Sequence, residues 1–122
     1  MPITIGYTIY GANEDVISQG MRNMQIKAIP DEYSLHHNYP NPFNPSTTIM
    51  YDIPKAGHTR LLIYDLLGRE VVTLINTDID AGYYNARWDG RNQYGQSVGA
   101  GVYFYQIQSN GFIRTHKMLL LK

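Results

Sequence analysis

Residues 3 to 10 alternate Ile3, Ile5, Tyr7 and Ile9 with Thr4, Gly6, Thr8 and Tyr10, the period of two that a half-buried strand imposes. Gly11 to Asp15 supply turn residues. Residues 16 to 29 are long enough for a returning strand, with a helix over part of 14 to 24 as the competing reading. Pro30-Asp31-Glu32 breaks whatever precedes it, so the chain divides best at residues 30 to 34.

Beyond residue 46 the pattern becomes a series of short strands separated by turn signals, as in a sandwich. Ile49, Tyr51 and Ile53 alternate with Thr48, Met50 and Asp52, and residues 54 to 57 end that strand. Residues 59 to 65 carry Leu61 and Ile63 on one face. Leu66-Leu67-Gly68-Arg69 makes a tight connection in which Gly68 is expected at positive φ, and residues 70 to 75 return. After Asp80-Ala81-Gly82, the residues Tyr84, Ala86 and Trp88 share a face, while Tyr83, Asn85 and Arg87 point away. Residues 89 to 101 hold four glycines and read as a long loop. Residues 101 to 109 and 112 to 121 flank Asn110-Gly111, a dipeptide suited to the type I′ hairpin turn. Six strands are visible in 47 to 121, and a seventh is expected in 31 to 39 or in the N-terminal segment. The fold class is all-β, an antiparallel sandwich of about seven strands. Its expected core is Ile49, Tyr51, Leu61, Ile63, Leu74, Trp88, Tyr103, Tyr105, Met118 and Leu120.

Between the boundary and the first of these strands lie Pro40, Pro42 and Pro45, three prolines in six residues. Each lacks a backbone N–H and pushes its predecessor toward extended geometry, so the segment is a rigid, non-repetitive lead-in with Tyr39 and Phe43 as anchors. No basic residue flanks the Pro42 and Pro45 pair in the manner of a polyproline ligand, which leaves the rigid loop as the preferred reading.

Composition narrows the function. Ten basic and ten acidic residues give a formal net charge of zero, so no long-range field draws the protein to nucleic acid or an anionic membrane surface. The 11 Tyr have no basic groove beside them, and sheet-face Tyr is preferred over a stacking or sugar-binding platform. Without Cys there is no disulfide, thiolate metal site or thiol nucleophile. The longest apolar run, residues 118 to 121, falls far short of the roughly 20 residues of a membrane helix. Residues 1 to 20 lack the pattern of a signal peptide, so an export signal, if the protein is exported, is expected upstream.

Patterns that carry chemistry are sparse. None of the serines sits in a nucleophile elbow. His36 and His37 are adjacent and on an extended chain point to opposite sides, so they cannot easily share one metal. The Asp89 loop has turn residues but lacks the twelfth-position Glu of a calcium loop, where Ala100 stands. Asp89 and Asn92 are therefore read as satisfying backbone donors in turns, ahead of an incidental Ca²⁺ site. The residues point to no enzyme activity, metal or cofactor.

The last strand breaks the alternation. If Met118 and Leu120 face the core, Leu119 and Leu121 face outward, on what should be an edge strand. Two explanations stand side by side: a partner binds there, or another layer such as residues 1 to 29 covers the face.

Taken in order, Tyr33-Ser34-Leu35, Asn38-Tyr39-Pro40-Asn41-Pro42-Phe43-Asn44-Pro45-Ser46, Tyr64-Asp65-Leu66-Leu67-Gly68-Arg69, Trp88-Asp89-Gly90, Gly101-Val102-Tyr103-Phe104-Tyr105 and Lys117-Met118-Leu119-Leu120-Leu121-Lys122 closely resemble the type A C-terminal sorting domain of the type IX (Por) secretion system. The fold is similar to the immunoglobulin-like domain of flagellar hook-capping proteins. The match spans about 33 to 122, and His36-His37 departs from the usual residues there. The resemblance implies a non-catalytic immunoglobulin-like domain, residues 31–122, following the end of a preceding β segment or linker in residues 1–30. It implies a covalently attached upstream cargo, and as partners the outer-membrane type IX machinery and a sortase-like peptidase. The route implied is export through the periplasm to the outer-membrane surface or the medium, with any cleavage before Leu35. Lys117, Leu119, Leu121 and Lys122 are the candidate residues for recognition by the translocon. Pro40, Asn41, Pro42, Phe43, Asn44, Pro45, Gly68, Trp88, Asp89 and Gly90 are the motif residues with an expected structural role. A permanent structural or adhesion module of a bacterial surface protein is the alternative.

Overall fold

The computed structural model describes residues 29–122. The strands expected in residues 3 to 10 and 16 to 29 lie outside the described residues. The strands among the described residues are β1 (Ser34–Leu35), β2 (Thr47–Ile53), β3 (Gly57–Tyr64), β4 (Glu70–Ile79), β5 (Gly82–Trp88), β6 (Gly101–Ser109) and β7 (Phe112–Leu120). They form two antiparallel sheets, a three-stranded one in the order β1-β2-β5 and a four-stranded one in the order β4-β3-β6-β7. The seventh strand expected from the sequence is β1, only two residues long, with Leu35 opposite Tyr51 and Ser34 opposite Asp52.

The inner faces of the two sheets make one core, built from alternate positions as the period of two requires. Ile49, Tyr51 and Ile53 come from β2, Leu61 and Ile63 from β3, Trp88 from β5, Tyr103, Tyr105 and Ile107 from β6, and Met118 and Leu120 from β7. Leu74, expected among them, is only half-buried and packs at the margin. Tyr84 and Ala86 share the inward side of β5 with Trp88, while Tyr83, Asn85 and Arg87 are exposed. The β6–β7 hairpin closes on Asn110 and Gly111 at φ 48° and 84°, both positive as a type I′ turn demands.

β4 runs to Ile79 rather than stopping at residue 75, although Asn76, Thr77 and Asp78 are polar. Its end is held from across the ladder, where His58 Nδ1 lies 2.9 Å from Asp78 Oδ1 and His58 Nε2 lies 2.7 Å from Asn76 Oδ1. Cross-strand pairing of that kind supports a strand without apolar alternation. Leu62 is fully buried although its neighbours Leu61 and Ile63 already fill the core. The β3–β4 register shifts between Leu61 and Leu62, and Leu62 sits mid-sheet, in register with Thr73 and Gln106.

Candidate functional site

The proline-rich lead-in is tied to the body by polar groups as well as by packing. The Tyr105 hydroxyl, fully buried, donates to the His36 carbonyl at 2.6 Å and accepts the Asn38 backbone N–H at 2.9 Å. Burial pushes the Tyr105 phenol up to about 12, because the phenolate loses its water there. Asn38 Nδ2 donates to Thr47 Oγ1 and to the Pro40 carbonyl, and the Thr47 hydroxyl donates to that same carbonyl at 2.8 Å. The loop is thereby fixed at both ends, and the peptide bonds preceding Pro40, Pro42 and Pro45 are all cis.

Of the two expected anchors, Phe43 is buried against Trp88, with ring centroids 5.7 Å apart. Tyr39 is not an anchor by its side chain, which is 80% exposed. Its backbone holds instead, through N–H···O bonds of 2.9 Å in both directions with Thr48. A ring pointing to solvent while the main chain pairs is ordinary behaviour at a sheet margin.

Phe43 does more than fill the core. Its N–H donates to the Leu119 carbonyl at 3.0 Å and its carbonyl accepts the Leu121 N–H at 2.8 Å, a parallel bridge onto β7. Asn41 Oδ1 accepts the Leu119 N–H at 3.1 Å. Among the described residues β7 is the edge of its sheet, as expected, but its last residues are covered by the proline-rich loop. Met118 and Leu120 are buried, and Leu119 and Leu121 point outward at 36% and 46% exposure. Lys117 and Lys122 are exposed beside them.

Trp88-Asp89-Gly90 meets the same end of the sandwich. Trp88 Nε1 donates to the Arg91 carbonyl, and the indole packs edge-on against Tyr103 at 5.3 Å. Gly90 has φ +76°, and a Cβ there would lie 3.2 Å from the Pro45 carbonyl oxygen and 3.6 Å from Leu120. This glycine is required twice over, by its left-handed backbone and by the closeness of the loop. Asn92 Oδ1 accepts the N–H groups of Tyr94 and Gln96, the turn role expected of it. Asp89 differs from expectation: its carboxylate faces Arg91 Nε at 3.6 Å rather than capping a backbone donor.

Gly68 takes φ +82° as expected and has open space where a Cβ would go, so its need is conformational only. The residue that builds this turn is Asp65, whose carboxylate accepts the N–H groups of Leu67 and Arg69 and pairs with Arg69 Nε at 2.8 Å. These bonds, led by the Arg69 N–H, hold the Asp65 carboxyl below its usual range. The turn lines a groove with Asn92, Tyr94 and Val98 of the loop that follows Gly90. The proline-rich segment, Trp88-Asp89-Gly90 and the end of β7 thus come together in space, and Gly68 makes no contact with them within 4 Å of its Cβ position.

A model of the FlgD Ig-like domain family matches residues 45–111, more than half of the chain. The chain belongs to the FlgD Ig-like domain family. The matched span covers β2 to β6 and the turn into β7, so the Phe43 bridge and β7 itself lie outside it. Among solved structures, PorU from Porphyromonas gingivalis is similar over 77% of this chain and 10% of its own, with a TM-score of 0.60 and 24% identity. PorZ from the same organism is similar over 73% of this chain and 12% of its own, with a TM-score of 0.52 and 19% identity. FlgD from P. aeruginosa shares 23% identity over 62% of this chain and 59% of its own, at a TM-score of 0.48. No curated protein matches the chain. The chain spans only 10% of PorU and 12% of PorZ, and the likeness to them is one of fold. No helix among the described residues is long and apolar enough to cross a membrane.

Proposed function

We propose that residues 31–122 are a non-catalytic sorting domain that addresses an attached cargo to a type IX secretion translocon, with residues 1–30 belonging to the cargo side or to a linker. The observation that carries this reading is the junction at the end of β7. The proline-rich loop, the Trp88-Asp89-Gly90 turn and the last strand buttress one another, and Lys117, Leu119, Leu121 and Lys122 stand outward on that fixed frame. Two apolar side chains held outward between two cations form a surface whose exposure is unfavourable in water and whose burial by a partner is favourable. The fold likeness to PorZ, described as an essential bacterial surface component of the type IX secretion system, supports the same reading. Export would take the cargo through the periplasm to the cell surface or the medium, with a sortase-like peptidase removing the domain before Leu35.

Membership in the FlgD Ig-like family favours a second reading, a permanent structural or adhesion module of a surface protein. One experiment separates the two. The chain is fused behind a signal peptide and a reporter in a bacterium that has a type IX system. Surface display that is lost on deleting residues 119–122, with mass spectrometry finding a mature reporter without residues 35–122, fits the sorting domain. Display unchanged by the deletion, with the domain retained, refutes it.

A further inference from the structure

The backbone of β7 is paired unevenly along its outer edge. Phe112, Arg114, His116, Met118 and Leu120 face β6 in the hairpin ladder, and the alternate residues turn their N–H and C=O groups away from it. Leu119 and Leu121 bond to Phe43 and Asn41. Ile113, Thr115 and Lys117 have no backbone partner beyond β7 among the described residues. The same edge that already accepts Phe43 as a one-residue parallel bridge therefore continues as an open template, with an N–H and a C=O at each of these residues.

The charge of this hairpin differs from that of the whole protein. Residues 101–122 contain Arg114, Lys117 and Lys122 and not one Asp or Glu, within a chain of zero formal net charge. Lys117 stands on the outer face of the sheet. Arg114 stands on the opposite face, its guanidinium 5.4 Å from the centre of the Phe112 ring. Each face beside the open edge thus carries a cation of the hairpin.

We infer that the Ile113–Thr115–Lys117 edge of β7 binds an extended, acidic segment of a partner polypeptide as an added strand, continuing the ladder that Phe43 begins. Main-chain bonds supply the attraction common to strand addition, and side chains on alternate faces supply the choice of partner. An acidic strand brings a carboxylate opposite Arg114 on one face and Lys117 on the other, the favourable cross-strand arrangement. A second copy of this chain is disfavoured on the same ground, because antiparallel self-pairing about Thr115 sets Arg114 against His116 and repeats the cations of both strands. Lys at an edge commonly blocks self-association; here it leaves an oppositely charged strand as the fitting occupant. The edge shares Lys117 with the surface proposed for sorting, but its pairing is read in the purified protein without any secretion system, so the two readings fail separately.

The test uses the full chain labelled with ¹⁵N and a capped peptide of sequence Val-Glu-Glu-Thr-Glu-Glu-Val, whose carboxylates stand on both faces of the extended chain and three positions apart as Arg114 and Lys117 do, with the same peptide carrying Lys for Glu as control. Saturable shifts centred on the amides of Ile113, Thr115 and Lys117, with slowed solvent exchange there and none with the Lys peptide, are expected. R114E and K117E, which change only exposed side chains, should each weaken binding about three- to tenfold and lose most of the salt dependence. T115P should abolish binding, since it removes an outward N–H and no ladder bond; the charge reversals keep the inference testable if that variant does not fold. No saturable shift with millimolar peptide, shifts confined to the outer sheet face, or concentration-dependent self-association through the same amides would overturn it.

Discussion

Replacing Tyr105 by Phe removes one oxygen and leaves the ring in place. In the native protein that oxygen donates to the His36 carbonyl at 2.6 Å and accepts the Asn38 N–H at 2.9 Å, at a fully buried site. His36 is exposed, so its carbonyl finds water in the variant; Asn38 is buried, and its N–H does not. An orphaned buried donor costs about 1–3 kcal/mol, so Y105F should lose about that much. Urea unfolding followed by Trp88, the one Trp of the chain and buried, reads the change. At an m value of about 1–3 kcal/mol/M the midpoint should fall by about 1 M. A pH series isolates the hydroxyl. Its folded pKa, about 12, lies above the value of about 10 of an unfolded Tyr. The unfolded chain therefore loses this proton first as pH rises. The hydroxyl's contribution is complete below about pH 10 and is lost as pH climbs through about 12, on the order of 2–3 kcal/mol in all. The variant lacks that loss, so the stability gap between the two proteins should narrow steadily from about pH 10 to about pH 12. A midpoint unchanged at neutral pH, or a gap constant across that range, would refute the claim that Tyr105 ties the lead-in loop to the core.

G90A should lose about 1–2 kcal/mol from its left-handed backbone alone, with a further loss because the Pro45 oxygen lies only 3.2 Å from the new Cβ; a thermal midpoint unchanged by the substitution would contradict the close approach. F43A should cost about 3–5 kcal/mol, as large-to-small changes in a core do, and should also speed amide exchange at Leu121, whose N–H bonds to the Phe43 carbonyl. L119S with L121S should leave urea stability nearly unchanged, because both side chains are outward, yet should abolish display of a fused reporter if the sorting reading holds. D65N should destabilise at neutral pH, and the difference from the native protein, followed by urea midpoints, should shrink on acidification. The Asp65 carboxyl is held below its usual range, so its contribution is present above the unfolded pKa and fades as pH falls through the folded one.

The sandwich is legible in the sequence wherever burial is one-sided. Ile49, Tyr51 and Ile53 announce β2 because the inward positions are apolar while Thr48 and Asp52 on the other face are polar, and Asn110-Gly111 announces the last hairpin because its backbone needs positive φ. Leu62 escapes because alternation cannot register a side chain buried beside a register shift. The polar end of β4 escapes because His58, on the neighbouring strand, holds it. Asn41 and Tyr105 are visible as residues but not as ties: their partners, Leu119 and the pair His36 and Asn38, stand far off in sequence. The outward Leu pair is legible, since it follows from four consecutive apolar residues on one strand. The closure of the edge beside it is not, because proline-rich spacing says where a chain is stiff and not what it lies against.

The parallel bridge between Phe43 and Leu120 also sets an order of events. The proline-rich lead-in and the last strand complete each other across most of the domain, and the central strand β3 has no second neighbour until β6 has been made. Contacts so distant in sequence form late and slowly. A ribosome making this domain therefore releases nearly all of it before the last strand can reach the Phe43 bridge.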